Sequence, residues 1–178
     1  MSISKSRRLQ VRERADFACE YCGVTETDTG GMLTIDYFQP SAKGGSDSAD
    51  NLIYCCHRCN EYKSDYWPQE PGACNLWNPR QEAATAHFVE AEDGSLIAWS
   101  ETGRFTLSCL RLNRPPLIAN RLRRRQKQAE ARLLTRLRDV TNILTQLQIQ
   151  HQILAEENHL LLLEQRRLLE LLVKQADP

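Results

Sequence analysis

The stretch Leu33 to Lys63, LTIDYFQPSAKGGSDSADNLIYCCHRCNEYK, decides how the chain is read. Leu33-Thr-Ile-Asp-Tyr-Phe alternates in the manner of a β-strand, and Pro40 with the Lys43-Gly44-Gly45-Ser46 run forces a loop. A second short apolar run, Leu52-Ile-Tyr54, leads into Cys56-His-Arg-Cys59. After it, Asn60 to Trp67 reads as a short helix stopped by Pro68. Just upstream lies a matching pair, Cys19-Glu-Tyr-Cys22. Each CxxC turn aims two sulfurs at one point, and two such turns complete a tetrahedron around a closed, structural Zn²⁺. Cys19, Cys22, Cys56 and Cys59 are therefore the expected zinc ligands. Cys55 offers a CxxxC alternative to Cys56, but the two-residue spacing of Cys56 to Cys59 matches that of Cys19 to Cys22 and is preferred.

The order of these residues resembles the HNH endonucleases, whose ββα-metal core carries a four-cysteine zinc site. The resemblance rests on Cys19, Cys22, Asp36, Pro40, Gly44, Gly45, Asn51, Leu52, Cys56, Cys59, Asn60 and Lys63, and covers about Arg8 to Trp67. It implies that Asp36 and Asn60 hold a catalytic Mg²⁺ or Mn²⁺ on a DNA phosphodiester while Asn51 braces the loop. Hard oxygen donors suit such ions. Where the family has its water-activating histidine, this chain has Tyr37. A phenol with an ordinary pKa of about 10 is a poor base at neutral pH. Two functional expectations follow. One is a metal-dependent endonuclease weakened at its general base, with Asp36, Tyr37, Asn51, Asn60 and Lys63 as its catalytic set. The other is a catalytically silent nucleic-acid-binding module on the same scaffold. His57 and His87 are the remaining candidates for the base.

The flanks extend this reading to an α+β domain over residues 1–114, with its core at about 8–67. Lys5 to Phe17 has helical spacing, and its Arg7, Arg8, Arg12 and Arg14 form either a phosphate-binding or a merely solvated face. Residues 67–80 are rich in proline and read as a loop on the core. The turn Glu92-Asp93-Gly94 between two apolar runs predicts a β-hairpin, and Arg104 to Leu112 a helix. The segment from Leu76 to Arg114 also resembles the tail of HNH proteins of this kind. Cys74 and Cys109 read as buried thiols.

Residues 115–178 form a second unit. No Gly or Pro interrupts Leu117 to Lys174, and ten Lys or Arg face Glu130 alone between Arg111 and Arg138, either a footprint for a nucleic-acid backbone or a merely solvated helix face. Further on, Leu133, Val140, Leu147, Leu154, Leu161 and Leu168 alternate with Leu137, Leu144, His151, Asn158, Gln165 and Leu172. That is a coiled-coil seam, expected to make a parallel homodimer; the alternative is a helix folded back on its own domain, since leucines at 160, 162, 163, 169 and 171 widen the apolar face beyond a two-stranded seam. Glu164, Arg166, Arg167 and Glu170 interrupt the leucines too often for a membrane span. The seven cysteines and a start without an apolar leader point to a reducing cytoplasm.

Overall fold

The computed structural model describes residues 3–70 and 72–176. Contacts divide the chain into two compact units, Met1–Arg125 and Gln126–Pro178. The division falls inside a helix rather than at its start, because Leu117, Asn120 and Arg121 of the first turns are buried in the first unit.

Helix α1, Lys5–Arg14, begins at Ser4, whose hydroxyl accepts from the Arg7 amide, and buries Val11. A short helix α2, Glu26–Thr29, follows the first cysteine pair. It was not expected, yet Thr25 and Asp28 form a reciprocal capping box that the sequence spells out. Strand β1, Thr34–Tyr37, pairs antiparallel with β2, Leu52–Cys55, placing Asp36 opposite Ile53 and Tyr37 opposite Leu52. All four residues of β2 are buried, whereas those of β1 are half-buried, so β2 is the strand around which the core closes.

Helix α3, His57–Lys63, corrects the expected 60–67. It starts earlier because Cys56 is its N-cap, with Sγ accepting from the Cys59 amide. It ends at Ser64, whose φ of 50° breaks the helix well before Pro68. Beyond it, Leu76, Trp77 and Asn78 are buried, and the Trp77 amide donates to Thr106 Oγ1 at 2.7 Å. The expected hairpin is present as β3, Phe88–Glu90, and β4, Leu96–Ala98. Helix α4 runs Glu101–Cys109, earlier than expected because Ser100 caps it through the Gly103 amide. Helix α5 spans Pro115–Ala176. Cys109 is half-buried, but Cys74 is exposed, against expectation, since its loop does not cover it.

The loop between β1 and β2 is closed by Asn51. Its Oδ1 accepts from the Gln39 amide at 2.8 Å, and its Nδ2 donates to Gln39 O at 3.0 Å and Ser46 O at 2.8 Å. Backbone packs so closely here that a Cβ on Gly45 would lie 1.8 Å from Gln39 O and 2.9 Å from Asn51 Nδ2. Gly44 differs: its φ of 85° demands glycine, but a Cβ would meet only Gln39 Nε2 at 3.7 Å. We expect Gly45→Ala to destabilise the first unit by roughly 2–4 kcal/mol, more than Gly44→Ala. Urea midpoints of the two variants check this ordering, and equal midpoints would refute the close-approach argument.

Candidate metal centre and hydrolytic site

The two CxxC turns converge as the spacing requires. The sulfurs of Cys19, Cys22, Cys56 and Cys59 all lie within 4.8 Å of one another, and all four residues are buried. A tetrahedron with Zn–S bonds of about 2.3 Å has edges of about 3.8 Å. Cys22 Sγ and Cys56 Sγ stand 3.7 Å apart, so the four sulfurs suit Zn²⁺. Cys55 points into the core instead and is not in the cluster. The first turn is held by the Cys19 amide donating to Val24 O and the Gly23 amide to Cys19 O, both at 2.8 Å, with Gly23 at φ 74°.

Two partners of this centre were not legible in the sequence. Arg114 sends one guanidinium nitrogen to Cys56 Sγ at 3.8 Å and Cys59 Sγ at 3.6 Å, and sits 5.6 Å from the centroid of the Tyr62 ring. With Zn²⁺ bound, its positive charge would offset part of the net negative charge that four thiolates leave around one dication. Glu20, between the first two cysteines, accepts from the Tyr54 amide at 2.7 Å and pairs with Arg14 at 3.1 Å and Arg80 at 3.0 Å. Arg114, Tyr54 and Arg80 lie 34 to 60 residues from the groups they meet, and Arg14, six residues from Glu20, is separated from it by the end of α1, so no helical or strand spacing signals these pairings.

These contacts change the reading of α1. Arg12 is bidentate on Glu26, at 2.6 and 2.7 Å, and Glu26 also accepts from the Tyr54 hydroxyl. Arg14 donates to Ala49 O and Leu52 O, both at 2.6 Å, besides pairing with Glu20. Both guanidinium groups are therefore tied to protein acceptors, and only Arg7 and Arg8 keep the character of a surface patch. In the same way Arg121 is buried, donating to Gly94 O at 2.5 Å and Leu112 O at 2.9 Å, so it leaves the expected basic footprint.

Of the second group of expected residues, Lys63 at the end of α3 meets Asp36 and Tyr37 at the end of β1. Lys63 is fully buried, with Nζ 2.9 Å from Asp36 Oδ2 and 2.7 Å from Tyr37 O. Asp36 Oδ2 is itself buried, with the Lys63 ammonium as its close partner. Burial pushes the Asp36 carboxyl up, and the Lys63 ammonium opposes that shift without reversing it. Tyr37 donates its hydroxyl proton to Asp47 Oδ1 at 2.9 Å, and this bond raises the phenol above its ordinary pKa. Asn60 follows Cys59 on α3 and is half-buried. His57 is exposed on the first turn of α3. His87 is buried between Ser100 Oγ at 2.7 Å and Glu82 Oε2 at 2.9 Å, with both ring nitrogens engaged.

The family model described as HNH endonuclease matches residues 19–65, from the first zinc-type cysteine to just beyond α3. A search of curated proteins and a search of solved structures each found no match. Residues 19–65 thus match an HNH core, which together with the four-cysteine cluster suggests a nuclease or nucleic-acid-related function with metal binding. No helix among the described residues is long and apolar enough to cross a membrane.

Two outcomes follow from this geometry. Protein purified under reducing conditions should contain one zinc per chain, and chelation should unfold the first unit, because the four cysteines lie inside the buried core with Tyr21, Ile53, Trp77 and Leu110 and would be left there as unligated thiols. Atomic absorption and far-UV circular dichroism check this, and folded protein with no zinc would refute it. Lys63→Met should cost about 3–5 kcal/mol by stranding a buried carboxylate. Adding Asp36→Leu should recover most of that loss in chemical denaturation, and no recovery would show that Lys63 acts through packing alone.

Proposed function

We propose that this chain binds duplex DNA through an HNH core whose hydrolytic step is silent at neutral pH for want of a proton acceptor. The observation that carries the reading is Tyr37. It stands at the strand position where HNH endonucleases have their general base, and its hydroxyl is a donor to Asp47 rather than an acceptor for water. Because that bond raises the phenol's pKa, the group remains protonated well beyond neutrality. Losing a general base costs on the order of 10²- to 10⁴-fold in rate.

The rest of the site is retained. Asp36 and Asn60 are the residues that would hold a divalent cation, since their oxygens suit a hard ion that takes one or two carboxylates together with substrate phosphate. Such an ion would supply charge stabilisation at the phosphate. Asn51 fixes the loop that carries Asp47, and so also fixes the acceptor of the Tyr37 proton. Lys63 neutralises Asp36 and pins the Tyr37 carbonyl, which locks the end of β1. Arg7 and Arg8, with the exposed cations Arg123, Lys127, Arg132, Arg136 and Arg138, supply charge for phosphate contact. A second reading, a working endonuclease on DNA, is favoured by this same retention of Asp36, Asn51 and Asn60.

Supercoiled plasmid in Mg²⁺ or Mn²⁺, with a mobility-shift assay alongside, separates the two. Wild type should shift duplex DNA yet nick it no faster than Asp36→Ala at pH 7. Tyr37→His should nick at least about 10²-fold faster than wild type. Any wild-type nicking should rise only in alkaline solution, as hydroxide replaces the missing base. Wild-type nicking near pH 7 well above Asp36→Ala would establish the endonuclease reading, and failure to shift DNA would overturn both. No gain in Tyr37→His, with DNA binding intact, would show that the base is not what is missing.

A further inference from the structure

Among the described residues of the second unit, Gln126–Pro178, no side chain is buried. Leu133, Val140, Leu147, Leu154, Leu161 and Leu168 are 53–58% exposed, and Leu137, Leu144 and Leu172 are 54–61% exposed. Together with His151, Asn158 and Gln165 these residues fall at alternating intervals of four and three, so they form one stripe along the helix that is apolar except at those three rungs. An exposed apolar stripe of this length in water is untenable without a cover.

We infer that the cover is a second copy of the same helix, parallel and in register. The spacing assigns Leu133, Val140, Leu147, Leu154, Leu161 and Leu168 to the d positions of a heptad. The a positions are then Leu137, Leu144, His151, Asn158, Gln165 and Leu172. In a parallel in-register pair, each a residue faces its own counterpart, so His151, Asn158 and Gln165 each meet an identical polar group and exchange hydrogen bonds. An antiparallel pair sets a against d, and the three polar side chains would then face leucines. Burying them without partners is unfavourable, so the polar rungs select both direction and register. Leucine at d with asparagine at one a position favours two strands over more.

Charge and area agree. The flanking g residues Glu157 and Glu164 face the e residues Leu162 and Leu169 of the other chain, so no like charges oppose each other. On the outer side, Arg166 pairs with Glu170 within its own helix at 3.4 Å, which suits a solvated face. At 1.5 Å per residue, the seam from Leu133 to Leu172 is about 58 Å long. A strip about 10 Å wide gives roughly 580 Å² per chain and about 1,200 Å² in all, the lower bound of a stable interface. The inference goes beyond the proposed DNA binding and stands whether or not the core cleaves. It makes the full-length protein bivalent, with an effective local concentration for the second core in the millimolar range where both sites can be reached.

The full-length protein tests this. Sedimentation equilibrium should give a dimer at micromolar concentration. Leu147→Asp with Leu154→Asp should halve the mass, and unchanged zinc content would show that the first unit is still folded. Leu154→Cys should form a disulfide dimer under mild oxidation that wild type does not, because d positions meet only in the parallel register. Asn158→Leu should shift the population above two chains. A wild-type monomer would overturn the inference, as would a wild-type trimer or tetramer. A dimer in which Leu154→Cys fails to cross-link would overturn the parallel register.

Discussion

The convergence of four cysteine sulfurs is the constraint on which the first unit depends. Cys19 and Cys22 follow α1, while Cys56 and Cys59 bound the start of α3, so one closed cluster ties both ends of the β1–β2 hairpin to a single point. The hairpin alone has four residues in each strand, too few to be stable in water. Fixing its exit at the metal ligands sets the direction of α3, and that direction brings Lys63 under the end of β1. The pairing of Lys63 with Asp36 and with the Tyr37 carbonyl is therefore a downstream result of thiolate geometry.

The same chain of causes explains how the end of β1 is held independently of the side chain at position 37. Tyr37 is the last residue of β1, opposite Leu52, and its backbone carbonyl is held by a lysine whose own place is set by the cysteine cluster. Nothing in that support requires an imidazole. A phenol fits the strand equally well, since aromatic side chains suit a half-buried pleated surface, and it finds an acceptor in Asp47. Chemistry and scaffold are separable here, because the scaffold is built from backbone contacts and buried charge on the other side of the residue.

What was legible in the sequence was what spacing encodes. The paired CxxC turns, the alternation of Leu33 to Phe38, the Glu92-Asp93-Gly94 turn and the heptad rows each carry their geometry in intervals along the chain. What was not legible was charge pairing across distance. Arg12 and Arg14 looked free for phosphate because Glu26 and Glu20 lie outside their helix, and Arg121 looked exposed because its acceptors, Gly94 O and Leu112 O, are backbone atoms. The start of α3 was misplaced for a related reason. Cys56 was read as a metal ligand only, and it also caps the helix.

The turn Cys19-Glu-Tyr-Cys22 shows how far this integration goes. In a zinc knuckle the two residues between the cysteines are commonly spacers. Here Glu20 joins Arg14, Arg80 and the β2 backbone, and Tyr21 is buried edge-on against Trp77, with centroids 6.4 Å apart. The turn is consequently not an interchangeable cassette. A knuckle transplanted from another zinc protein would keep the four sulfurs yet sever α1 from the loop at Arg80. Homologous exchange at this site must travel with its distant partners, which makes the two spacer residues as much a part of the fold's inheritance as the ligands that bracket them.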